Sequence, residues 1–148
     1  MLVLLGAVTA MGSLGIYVAQ GTPVLKVYKD RACGCCRKWA SHIEDAGIAV
    51  RVVDADDMIA IKRRLGVPDD LQSCHTAEIS GYVIEGHVPA AAVKRLLSEA
   101  PEARLLAVPG MPAGSPGMED STPEIYDIVL VGPRDSWSFG RFRGATTE

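Results

Sequence analysis

The chain has 148 residues, 48% of them apolar and 22% charged, with a formal net charge of -3 at pH 7. That length and balance suit one globular domain with a sizeable core. The slight acidity and the lack of a basic stripe count against a nucleic-acid partner. There is no phosphate-cradling Gly-rich loop, no H-E-x-x-H pair and no internal repeat.

The first 21 residues stand apart, because Met1 to Gly21 carries no charged side chain and is mostly Leu, Val, Ala, Gly and Met. This stretch reads as a signal peptide or a single membrane anchor. Ala19 and Gly21 would supply the small residues of a cleavage site before Thr22. Either form places residues 22–148, read as one domain, outside the cytoplasm. The expected compartment is the periplasm, with membrane contact only through the leader.

Val24 to Tyr28 alternates as a strand. Helical spacing follows, closed by Gly47. Ile48 to Val53 reads as a second strand. Asp54, Asp56 and Asp57 lack the spacing of a calcium loop and suit the start of a helix, Met58 to Leu65, stopped by Gly66. This strand–helix–strand–helix opening predicts an α/β fold with a parallel pair. Lys62-Arg63-Arg64 and Lys94-Arg95 read as solvated helix faces. A loop from Val67 to Ser73 delivers Cys74 and His75. Two short strands, Thr76–Ile79 and Tyr82–Glu85, flank Ser80-Gly81 as a hairpin. Pro89 fits the first position of a helix, Ala90 to Glu99, which Pro101 ends. Leu105–Val108 is a brief apolar run before a loop rich in Pro and Gly that carries Met111 and Met118. Tyr126–Val131 is a strand, Trp137 to Phe142 a last edge strand, and Gly144–Glu148 a tail.

Three of the four cysteines lie within four positions, as Cys33-Gly34-Cys35-Cys36. They sit where a strand meets the first turn of a helix, and free N–H groups there favour thiolate over thiol. Cys33 and Cys36 have C-x-x-C spacing, which suits a thiol–disulfide exchanger. Cys35 between them invites scrambling and suits a soft-metal site better. On the helix, Cys35, Trp39 and His42 share one face. Trp39 reads as core. His42 reads equally as a metal ligand and as a satisfied, partly buried histidine. If the sheet brings Cys74 to the cluster, four thiols meet, with His42, His75 and His87 as nitrogen donors. Zinc could use four such ligands, but the Cys-x-Cys-Cys crowding suits copper(I), whose thiolates can bridge ions. Met111 and Met118 are soft thioethers that could guide copper in. A scaffold stapled by two disulfides is a further reading.

Long segments of the chain resemble one family. They are Cys33 to His42, Gly66-Val67-Pro68 through Ser73-Cys74-His75-Thr76-Ala77, Gly81 to Ala90, and Val108-Pro109-Gly110-Met111-Pro112 through Gly114 to Glu119. The family is the domain-of-unknown-function family that includes the bacterial copper-resistance protein CopG, and the likeness runs from about Val24 to about Phe142. The resemblance implies a thioredoxin-like fold, a small mixed sheet with helices on its faces, in an exported protein. It further implies copper as the bound ion, held by Cys33, Cys35, Cys36 and Cys74 with support from His42, His75 and His87. Copper ions, and other copper-handling proteins of the envelope, are the partners it suggests. The function expected is to sequester copper or handle its redox state in copper resistance.

Overall fold

A computed structural model describes residues 21–148, so the leader reading lies, apart from Gly21, outside the described residues. The elements in chain order are β1 (Val24–Asp30), α1 (Gly34–Asp45), β2 (Ala49–Ala55), α2 (Met58–Arg64), a 3-10 turn (Asp69–Leu71), β3 (His75–Ile79) and β4 (Tyr82–Glu85). There follow α3 (Ala90–Glu99), β5 (Leu105–Ala107), β6 (Ile125–Val131), β7 (Ser136–Arg143) and β8 (Thr146–Thr147). Among the described residues these strands form one open sheet of eight, in the order β2-β1-β3-β4-β5-β6-β7-β8. The β1–β2 and β4–β5 pairs are parallel and the other neighbours antiparallel. No helix among the described residues is long and apolar enough to cross a membrane.

A parallel neighbour requires a crossover, and α1 supplies it between β1 and β2. Gly47 ends that helix at φ +86°, a left-handed turn that a Cβ would strain. Asp57 caps α2, its carboxylate accepting the Ala60 N–H at 2.9 Å. An Asp57→Ala variant should lose about 1 kcal/mol of stability, read as a lower urea midpoint with an unchanged slope.

Apolar residues fill both faces of the sheet. On one side Trp39 and Ile43 of α1 and Val93 and Leu96 of α3 pack with Leu25, Val27, Ala77, Ile84, Leu106, Ile128 and Leu130. On the other, Val67 packs with Leu105, Ala107 and Val131, joined by Leu65 and Leu71. Leu105, Leu106 and Ala107 are all fully buried, so β5 shows a continuous apolar run instead of alternation.

Three expectations from the sequence are corrected. Pro89 sits one position earlier than expected, as the N-cap of α3, with helix beginning at Ala90. The tail is not free of structure: Thr146–Thr147 pairs with β7, so the sheet edge is β8. Lys62 is not on a solvated face but is 5% exposed. Its ammonium donates to Thr76 Oγ1 and to Glu85 beneath the helix. Arg63 and Arg64, the next two residues of the helix, stay exposed, as expected.

Candidate metal centre

The sulfurs meet where β1 ends. A turn closed by Cys33 N–H donating to Asp30 O at 3.0 Å carries the chain into α1. Cys33 is the helix N-cap, its sulfur accepting the Cys36 N–H at 3.3 Å. The β1–β3 register sets His75 opposite Lys29 and Thr76 opposite Tyr28, so Cys74 enters the sheet beside the helix start. All four sulfurs lie within 4.8 Å of one another. Cys33 and Cys36 are joined as a disulfide, while Cys35 and Cys74 are free thiols. The Cys35 sulfur is 3.5 Å from that of Cys33, and the Cys74 sulfur is 3.5 Å from that of Cys36. A scaffold stapled by two disulfides is therefore not what forms.

Cys74 belongs to a second group as well, with His75 and His87, whose donor atoms again fall within 4.8 Å. His87 Nδ1–H donates to the Pro116 carbonyl at 2.8 Å. That bond leaves the Nε2 lone pair facing Cys74, 3.0 Å from its sulfur. An imidazole locked by a carbonyl at one nitrogen and open at the other is the usual arrangement of a metal-binding histidine. His75 is wholly buried, with Nδ1 3.3 Å from the Cys74 sulfur. Its Nε2 has no hydrogen-bond partner among the described residues. The Trp39 ring lies 4.2 Å from that of His75, and Trp39 donates its indole N–H to Val88 O at 2.8 Å.

Burial sets the protonation of these groups. It pushes the Cys74 thiol up to about 12, with the nearby Cys35 adding to the shift. Burial also holds His75 well below the usual histidine range, helped by repulsion from His87 and Lys62. His87 is lowered for the same first reason, against the opposing pull of the Pro116 carbonyl. Both shifts favour the neutral imidazole, the form that can bind a metal.

The Pro- and Gly-rich loop closes one wall. Gly117 stands at φ +89°, and a Cβ there would lie 2.6 Å from Cys35 O and 3.2 Å from His87 Nδ1. Glu119 fixes the turn by accepting the Gly117 N–H at 2.6 Å. Met118 is half-buried beside this contact, and Met111 is 54% exposed.

His42, the remaining nitrogen candidate, is engaged elsewhere. Its Nε2 accepts the Ala90 N–H at 3.0 Å. Pro89 offers no side-chain cap to α3, so His42 supplies one from α1. The sequence reading missed the buried groups behind Cys74. Glu85 Oε2 accepts from Thr76 Oγ1 at 2.6 Å, and Oε1 accepts from Ser73 N–H at 2.7 Å and from Lys62. Their signal in the sequence was only a carboxylate at the inward end of a predicted strand.

Fold and site together define a small α/β protein with a cysteine–histidine cluster able to hold a soft metal ion. Residues 71–118 match the family described as "Protein of unknown function, DUF411". The solved structure "Copper resistance protein copG- Form 1" is 41% identical, with a TM-score of 0.76, over 82% of this chain and 98% of that one. Form 2 of the same protein is 40% identical, with a TM-score of 0.77, over 81% and 98%. This chain belongs to that family, which includes copper resistance protein copG. No curated protein matches it.

Proposed function

We propose that this protein binds copper in the cell envelope, sequestering it or changing its oxidation state at a thiolate site formed by Cys33, Cys35, Cys36 and Cys74. The observation that carries the reading is the meeting of four sulfurs from two distant segments within 4.8 Å. Thiolates are the preferred ligands of Cu(I), and bridging sulfur accommodates their crowding. His87 and His75 complete the donor set, while Met118 and Met111 present thioethers on the adjoining loop. The Cys33–Cys36 disulfide is the oxidised form, so binding through all four sulfurs starts from the reduced protein. The relatives' printed association with copper resistance supports the choice of metal.

The same reading takes the fold as thioredoxin-like. Its support is the β2-β1-β3-β4 order, with α1 crossing between parallel strands and α3 following the β3–β4 hairpin. Residues 22–148 would be the exported domain, working in the periplasm. The rival reading, a thiol–disulfide exchanger using Cys33 and Cys36, gains nothing from the relatives. It also leaves Cys35 as a third thiol 3.5 Å from the disulfide.

Titration of the reduced protein with Cu(I) against a moderate chelator, followed by intact mass, tests the proposal. Stable copper adducts are expected; their absence would end it. Binding should also release protons. Cys74 is held as a thiol by its raised pKa, so coordination must displace its proton. Apparent affinity should therefore rise with pH, by about tenfold per unit for each thiol proton displaced. His75 and His87 are lowered by burial, which favours their neutral forms, so they add less to this slope than the thiol does. Competition measured between about pH 6 and pH 8 reads this slope directly.

A further inference from the structure

We infer that the buried Lys62–Glu85 pair is a positioning device that sets the place of Cys74 in the metal centre. The inference rests on the copper reading only for the identity of the ion.

Glu85 is wholly buried and Lys62 is 5% exposed. One carboxylate gathers three donors. Ser73 N–H, one residue before Cys74, reaches Oε1 at 2.7 Å. Thr76 Oγ1, one residue after His75, reaches Oε2 at 2.6 Å. Lys62 donates to Oε1 and, at 3.0 Å, to Thr76 Oγ1, closing the ring from α2. Cys74 and His75 are therefore clamped from both sides by a single side chain. Glu85 also lies two residues before His87, and backbone bonds hold that end: Gly86 N–H donates to His75 O at 3.0 Å, and Val108 N–H to Glu85 O at 3.0 Å. The clamp thus refers Cys74, His75 and His87 to one another.

Stability alone does not account for the pair. Removing two charges from water is expensive, and packed apolar residues of similar volume often serve a core equally well or better. Here the charges face the one stretch of β3 whose entry places a sulfur. Outer partners that hold ligands in place commonly change metal affinity when lost, even though they never touch the ion.

The test uses the full chain and two variants, Glu85→Gln and the charge-neutral Lys62→Met/Glu85→Gln, which leaves no buried ion without a partner. In the reduced, metal-free protein, alkylation of each cysteine by iodoacetamide is mapped by mass, with Cys35 as the internal reference. The Cys74-to-Cys35 rate ratio should rise about tenfold or more in a variant whose near-UV circular dichroism is native. Cu(I) affinity should fall about 10- to 100-fold by chelator competition. A folded double variant with an unchanged rate ratio would overturn the inference, whatever its melting temperature. If the wild type takes up no copper, the metal reading falls, while the alkylation ratio still decides the role of the pair.

Discussion

Replacing Cys74 by Ser should abolish tight copper binding while leaving the fold in place. Cys74 is the sulfur common to both groups, one formed with Cys33, Cys35 and Cys36 and the other with His75 and His87. Serine nearly matches cysteine in size, so the packing around it changes little. Its hydroxyl is a hard, weakly acidic donor and a poor ligand for Cu(I). Loss of an outer partner typically lowers metal affinity 10- to 100-fold, so loss of this central ligand should lower it by about 100-fold or more. The contrast is His42→Ala. That change removes a cap from the Ala90 N–H at 3.0 Å and touches no sulfur. It should lower stability by about 1 kcal/mol and leave copper bound. Chelator competition and urea unfolding on the two variants separate a ligand from a cap. Equal copper loss in both would mean that the histidine assignments are wrong.

Gly117→Val should be the most damaging change in the loop. A Cβ at this position meets the Cys35 carbonyl at 2.6 Å and Trp39 N at 3.0 Å, both main-chain atoms of a helix that cannot yield. The residue also stands at φ +89°, where a β-branched side chain is strained. Relief would lift the loop and take the Pro116 carbonyl from His87 Nδ1. Strain and overpacking together should lower stability by about 2–4 kcal/mol, seen as a fall in the urea midpoint. His87 would lose its fixed tautomer, so Cu(I) affinity should fall as well. A variant of wild-type stability would show that the loop does not seat against α1.

Much of the fold was legible because its signals are local. Helix α3 runs from Ala90 to Glu99 as its spacing and the flanking prolines indicate, and β6 begins one residue before the predicted strand. Gly47 and Asp57 mark helix ends by backbone conformation and capping, which need no knowledge of the rest of the chain. The parallel β1–β2 pair follows from the strand–helix–strand order. The convergence of Cys74 on the Cys33 cluster was legible only as a condition, since it depends on which strand lies beside β1. The register of β3 against β1 is a tertiary fact.

What the sequence hid is long-range and polar. Lys62 stands in a basic run, and nothing nearby distinguishes it from Arg63 and Arg64. Its burial depends on Glu85, which lies on β4 and meets it only once α2 covers the sheet. His42 has the right spacing from Cys35 to join the metal, yet α3 claims its nitrogen because Pro89 cannot cap its own helix. The tie between His87 and the loop is made by a carbonyl, and main-chain atoms leave no mark in residue identity.

The central claim is that sulfur from two separate segments grips one soft ion or a small cluster of them. X-ray absorption at the copper edge, on reduced protein loaded with Cu(I), tests it most directly. The expected result is a first shell dominated by sulfur with a minor nitrogen contribution, and a loss of sulfur scattering per copper in Cys74→Ser. A first shell of nitrogen and oxygen alone, or a sulfur count indifferent to Cys74, would contradict it.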